Sequence, residues 1–211
     1  MNKEHQILEI LEKHVPKSAV QHCLELWIRC NFKFYIKKKR DSKLGDYRYI
    51  PSSKSHIITL NDDLNVYAFL VTYLHEYAHL RTTIVYGVKV KPHGEEWKNI
   101  FKEVLAPFMK EEIFPPSVLV PLGHYISNPK ASSCSDVPLQ KALRDYDPMS
   151  REIYLSEANT GDTFKFNRRV FVKEDIKRSR AICREVNSGR RYFISQAALV
   201  EQVGQISLFK Y

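Results

Sequence analysis

The chain has 211 residues, of which 44% are hydrophobic and 27% charged, with 7 glycines and 10 prolines. This composition excludes a disordered, collagen-like or low-complexity chain, and the length suits one domain with a small appendix and a core that needs no disulfide staples. Lysine and arginine total 33 against 24 acidic residues, a net charge of +9, which points to a polyanionic partner.

In chain order, Ile7, Leu8, Ile10 and Leu11 share one face of a helix predicted over 3–14. Pro16 suits the first turn of a second helix over 17–30, with Val20, Cys23, Leu24, Trp27 and Ile28 at helical spacing. Phe32–Lys37 reads as a strand, and Tyr47–Ile50 and His56–Leu60 as two more, giving a small antiparallel meander. Asn61-Asp62-Asp63 can cap a long, mostly apolar helix over 64–85 that should be central and buried. Gly87 ends it, and a further helix over 94–109 follows Pro92-His93-Gly94. Residues 111–150, rich in proline and serine, read as a connecting segment with one short helix near Pro138–Asp145. Beyond Ile153 the pattern turns to strands: 162–167, 169–173, 180–186 and 191–195 form two hairpins, with Asn187-Ser188-Gly189 as a turn.

No apolar run approaches the roughly 18–20 residues of a membrane span. The polar start Met1–Gln6 leads directly into an amphipathic helix, so a cytoplasmic protein without a membrane partner is expected. Cys23, Cys30, Cys134 and Cys183 make no Cys-x-x-Cys pair and read as reduced thiols.

The strongest chemical signal is His75-Glu76-Tyr77-Ala78-His79. Histidines four apart stack on one helix face and can reach one metal, and the intervening glutamate can reach a metal-bound water. A catalytic zinc takes three protein ligands and keeps one open position. His93, fourteen residues after His79, is the best third ligand, since the loop after Ile84 is long enough to reverse. Glu95 and Glu96 are the alternatives. In this scheme one Zn²⁺ per chain is held by His75, His79 and His93. Its water has a pKa lowered to about 7, and Glu76 acts as general base. Tyr77, Arg81 and Tyr86 are near enough in sequence to supply a donor for the oxyanion. Trp97 reads as packing between the two helices.

His75-Glu76-Tyr77-Ala78-His79 followed by His93-Gly94-Glu95-Glu96-Trp97 resembles the SprT-like family, which includes the Spartan proteases. The resemblance covers roughly residues 15–110. It implies a zincin-like metalloprotease core of helices and a small antiparallel sheet over residues 1–110; with the connecting segment 111–150 and the small β-rich unit over 151–211 read from the residues, an α+β fold is expected. It also implies a zinc metallopeptidase acting on proteins attached to DNA. SprT-like proteins often carry a C-terminal zinc ribbon with paired cysteines. Here only Cys183 lies among the expected strands, so the tail is expected as a ribbon-like unit without its metal.

The positive charge lies in two islands. Residues 29–54 carry nine cations against Asp41 and Asp46, and residues 165–191 carry ten against Glu174, Asp175 and Glu185. Aromatic residues interleave with both. Cations for phosphates and rings for bases suit single-stranded nucleic acid, with Lys37, Lys38, Lys39, Arg40, Arg168, Arg169, Arg178, Arg180, Arg190 and Arg191 as contacts. Alternation such as Phe32-Lys33-Phe34 fits buried and solvated strand faces equally well. A nucleic-acid-binding module with a structural or weakly active zinc site is the alternative to a peptidase; the glutamate beside the first histidine counts against it.

Overall fold

The structure is a computed structural model that describes residues 2–40, 42–127, 136–147 and 152–203. Cys134 lies outside the described residues. The chain divides into two compact units, Met1–Asp147 and Pro148–Tyr211.

Unit 1 opens with α1 (Lys3–His14), started by the Asn2 side chain accepting the Glu4 N–H, and buries Ile7 and Leu11. Pro16 and a 3-10 turn lead into α2 (Val20–Cys30), which buries Cys23, Leu24 and Trp27. These apolar positions recur every three to four residues, as a helix with one buried face requires. Asn31, at φ 43°, ends α2 in the left-handed region and turns the chain into the first strand.

Three strands follow, β1 (Lys33–Lys37), β2 (Gly45–Ile50) and β3 (Ser55–Asn61), in the spatial order β1-β3-β2. The expected antiparallel meander is corrected here. β1 runs parallel to β3, with Lys33 opposite Ile57 and Lys37 opposite Asn61, and β2 alone is antiparallel to it. Burial explains the order. The most apolar strand, with Ile58 and Leu60 buried, takes the centre, while Lys33, Lys37, Asp46 and Arg48 suit edge strands. Residues 38–44 therefore carry the chain past β3 to its far side.

α3 (Val66–Tyr86) is capped by Asn65, whose side chain accepts the N–H groups of Tyr67 and Ala68; Asn61–Asp63 do not cap it. Phe69, Leu70, Tyr73, Leu74, Ala78 and Leu80 bury most of its circumference. α4 (Glu95–Leu105) packs on it through Trp97, Phe101 and Leu105. The stretch read as a connection also contributes core. α5 (Pro116–Ser127) buries Val118, Leu122 and Tyr125, and α6 (Val137–Arg144) buries Leu139 and Leu143, all in the core of unit 1. Proline reads as a breaker, but Pro116 opens α5, where a missing N–H costs nothing.

Unit 2 is a six-stranded antiparallel sheet in the order β4-β9-β5-β6-β7-β8. The strands are β4 (Glu152–Tyr154), β5 (Thr163–Phe166), β6 (Arg169–Lys177), β7 (Arg180–Glu185), β8 (Arg191–Ser195) and β9 (Leu199–Gln202). The two expected hairpins are β5–β6 and β7–β8; β4 and β9 add to them. Gly189, at φ 67°, closes the β7–β8 turn. The core is small, built on Phe164, Phe171, Ala181, Cys183, Ile194 and Val200. The chain as a whole is α+β. Among the described residues, no helix is long and apolar enough to cross a membrane.

Candidate metal centre

α3 presents His75, Glu76 and His79 toward a cleft of about 620 Å³. One wall is Lys43–Tyr47, which leads into β2 and includes its start, and the other is the loop from Gly87 to His93. The helical repeat puts His75 and His79 one turn apart on one face. His93 reaches them from the following loop at φ 57°. That conformation costs a non-glycine residue about 1–2 kcal/mol, strain of the kind that gathers at functional sites.

The three Nε2 atoms converge. His79 is 2.9 Å from His93 and 3.2 Å from His75, and His75 is 3.2 Å from His93. A hydrogen bond needs one donor and one acceptor, and three mutually close nitrogens cannot alternate. At least one contact must set like against like. A cation among them resolves the conflict by taking all three lone pairs. Imidazoles about 2.0–2.1 Å from a tetrahedral zinc stand about 3.3–3.4 Å apart, close to these three edges. The lone pairs are available. Burial, with His79 and His93 beside it, holds His75 well below its usual value. Burial and His93 bring His79 down to about 3, and burial lowers His93. Among the described residues, these three form the single His, Cys, Asp or Glu group able to hold a metal. Glu95 is not part of it and pairs with Lys98 at 3.0 Å; Glu96 does not join it.

Trp97 is fully buried behind the triad, its ring 4.7, 5.1 and 4.7 Å from those of His75, His79 and His93. It stacks on Phe101 at 5.0 Å, so α4 braces the imidazoles from below. Glu76 is buried beside them. Desolvation first, then the carboxylate of Asp46, pushes its carboxyl up to about 8, opposed in part by the Tyr47 backbone N–H.

β2 is what sequence reasoning missed. A Cβ on Gly45 would stand 2.7 Å from Thr72 Cγ2 and 2.9 Å from Glu76 Oε1, so glycine lets the strand touch the helix. The Tyr47 ring lies parallel to that of His79, 6.4 Å away, and its hydroxyl is 2.8 Å from His56 Nδ1. A glycine opening a strand is a signal of close backbone approach, but nothing in the sequence names its neighbour. The bond from the Asn61 N–H to the Leu44 carbonyl fixes the phase of the β2–β3 ladder. Gly45, Tyr47 and Tyr49 therefore turn their N–H and C=O groups away from β3. None of the three oxyanion candidates lines the cleft. Tyr77 is buried with its hydroxyl 3.3 Å from Cys30 Sγ, Arg81 borders a separate hollow with His22 and Arg29, and Tyr86 is half exposed at the end of α3.

The candidate nucleic-acid contacts fall in different units. In unit 1, Lys37, Lys38 and Lys39 are exposed beside the cleft-bearing sheet, whereas Arg40 is half-buried and bonded to Asn61 and Thr59. In unit 2, Arg169 is paired with Glu185 at 2.5 Å and Arg191 with Glu174 at 2.7 Å. Arg168 and Arg178 occupy separate turns, and Arg180 and Arg190 are exposed.

No curated protein and no solved structure matches the chain. The SprT-like family model does match it, over residues 13–115. That span contains α2, the three-stranded sheet, α3, α4 and all three converging histidines. Residues 13–115 thus belong to the SprT-like family, a family generally of metallopeptidases.

Proposed function

We propose that the chain is a zincin-type, zinc-dependent peptidase that hydrolyses peptide bonds in proteins associated with DNA. The observation that carries this reading is the convergence of three neutral imidazoles beside a buried glutamate, in a cleft walled by an open strand edge. Zinc, when bound, supplies a Lewis acid and lowers the pKa of water to about 7. His75, His79 and His93 hold it. Glu76 Oε takes a proton and returns it to the leaving amine, help worth about 10²–10⁴-fold. The outward groups of Gly45 and Tyr49 suit an extended peptide, which would add to the edge of β2 as a further strand. The free thiols Cys23, Cys30 and Cys183 accord with action in the cytoplasm.

The test is proteolysis of a DNA-binding protein by the zinc-loaded chain, with and without single-stranded DNA, using Glu76→Gln as the blank. Cleavage that vanishes in the variant supports the reading. One zinc per chain with DNA binding and no cleavage would leave a nucleic-acid-binding module with a structural zinc.

Two further outcomes follow from the geometry. His93→Ala is expected to weaken zinc binding by more than about 100-fold, beyond the loss caused by removing a mere supporting partner. Competition with a chelator measures it, and unchanged affinity would mean that another group completes the site. Gly45→Ala is expected to push Glu76 aside, lowering stability by about 1–3 kcal/mol and hydrolysis by about 100-fold. Thermal melting and peptide cleavage read both effects.

A further inference from the structure

The sheet of unit 1 has two faces. One turns toward α3: Phe34 packs on Phe69 and Tyr73, and Gly45 touches Thr72 and Glu76. Alternation along each strand puts Lys33, Tyr35 and Lys37, Ile57, and Asp46 and Arg48 on the other. Lys33, Tyr35, Lys37 and Arg48 are exposed there. Arg40 lies across the same face, its Nε 2.7 Å from Asn61 Oδ1 and its Nη1 3.1 Å from Thr59 Oγ1. Both partners are neutral, and among the described residues no ion pair holds the guanidinium. Among the described residues, the strands bring a single acid to this face. That acid is Asp46, shared by Lys43 at 2.9 Å and Arg48 at 3.2 Å. The Tyr35 ring is 47% exposed, with Lys37 Nζ 5.8 Å from its centroid.

Unit 2 is built differently, despite its arginines. Residues 152–203 hold ten cations against seven acids, and Lys173 is buried. Glu174 holds both Arg184 and Arg191, each at 2.7 Å, and Glu185 holds Arg169 at 2.5 Å.

We propose that the open face of the β1-β3-β2 sheet binds single-stranded nucleic acid. The phosphates lie along Lys33, Lys37, Arg40 and Arg48, and a base stacks on Tyr35. A cationic surface tracks the backbone, and an exposed ring takes any unpaired base, whereas a duplex hides its base faces. The proposal rests on the DNA-directed reading above and deepens it. Binding sits in the metal-bearing unit itself, on the back of the strand that walls the cleft. Asp46 and Arg48 face the nucleic acid while Tyr47 between them faces His79. The bound strand and Glu76 then lie on opposite faces of β2.

The test is fluorescence anisotropy on the full zinc-loaded chain with labelled oligodeoxythymidine, oligouridine and a DNA duplex, over a range of salt. Lys33→Glu/Lys37→Glu/Arg48→Glu is expected to lower affinity for the single strands by about 100-fold or more, and to flatten the salt dependence by about two counterions, at roughly 0.7 per phosphate contact. Tyr35→Ala is expected to cost about 5- to 100-fold with the salt dependence unchanged, and Tyr35→Phe to restore stacking. Arg178→Glu/Arg180→Glu in unit 2 is expected to bind as the parent does. The two oligonucleotides separate DNA from RNA as the natural ligand. Failure of the parent to bind, preference for the duplex, or loss of binding only in the unit 2 variant would each overturn the proposal. Cleavage of an unattached peptide is followed in parallel. A chain that binds nucleic acid through this face but cleaves nothing refutes the peptidase reading alone, and a chain that cleaves while the sheet variants bind normally refutes this surface alone.

Discussion

Replacing Glu76 with glutamine is expected to abolish hydrolysis of a protein substrate, a loss of at least about 10²–10⁴-fold, while zinc content stays at the parent level. Glutamine keeps the shape of the side chain and replaces none of the three converging histidines, but it cannot accept a proton. Turnover and metal analysis of the same preparation measure both. A fully active variant with its zinc in place would remove Glu76 from the chemistry. The zinc-stripped chain gives a second signature. Burial and Asp46 raise the Glu76 carboxyl from 4.5 to about 8. The folded chain keeps a proton that the unfolded chain releases, so stability falls as pH rises through that interval. His75, His79 and His93 act in the opposite sense: burial holds them neutral, and their contribution grows with pH up to the ordinary 6.5. Between 6.5 and about 8, Glu76 therefore dominates among the site's groups. Denaturation in chelator across that window is expected to show the parent losing on the order of 2 kcal/mol and Glu76→Gln losing almost nothing. Equal slopes would show the carboxyl ionised throughout.

Replacing Lys173 with alanine is expected to unfold unit 2. This ammonium is 1% exposed and donates to the carbonyls of Leu155 and Ala158 at 2.8 and 2.7 Å. It ties the loop after β4 to the centre of the sheet. Among the described residues, unit 2 holds no metal-binding group, and Cys183, opposite Lys173 on β7, is a lone thiol pushed up to about 11 by burial. The Lys173 side chain is what ties that loop to β6. Alanine deletes the apolar stem and leaves both carbonyls without a donor, a cost of about 3–5 kcal/mol, comparable to all that so small a core supplies. Lys173→Met keeps the stem and should fall between. Hydrogen exchange resolved by unit measures both, with unit 1 as the internal reference. Variants whose unit 2 amides stay protected like the parent's would show that water replaces the ammonium at no cost.

Local periodicity made much of this protein legible in the sequence. The spacing of Ile7 and Leu11, or of Cys23, Leu24 and Trp27, sets a helix face whatever surrounds it. His75 and His79 must stack because the helical repeat is 3.6 residues. The zinc reading of that pair, and the family resemblance built on it, needed no coordinates. What depends on distant partners was not legible. β1 pairs with β3 in parallel because the most apolar strand competes for the centre of the sheet, a contest among three segments that no one of them records. α5 forms across Pro116 and Pro121 because Val118, Leu122 and Tyr125 have a core to enter, and burial outweighs a weak local preference. The two charged islands look alike in sequence, yet Glu174 and Glu185 hold Arg169, Arg184 and Arg191 in one, while in the other Asp46 holds Lys43 and Arg48 and Arg40 rests on neutral Asn61 and Thr59. The sequence by itself determined α1 to α4 and α6, and the spacing of His75, Glu76 and His79. Only the tertiary structure decided that His93 meets the other two histidines, that Gly45 and Tyr47 brace Glu76, and which acids pair with which cations. Contacts between residues far apart in the chain are set by the whole core, not by any local pattern.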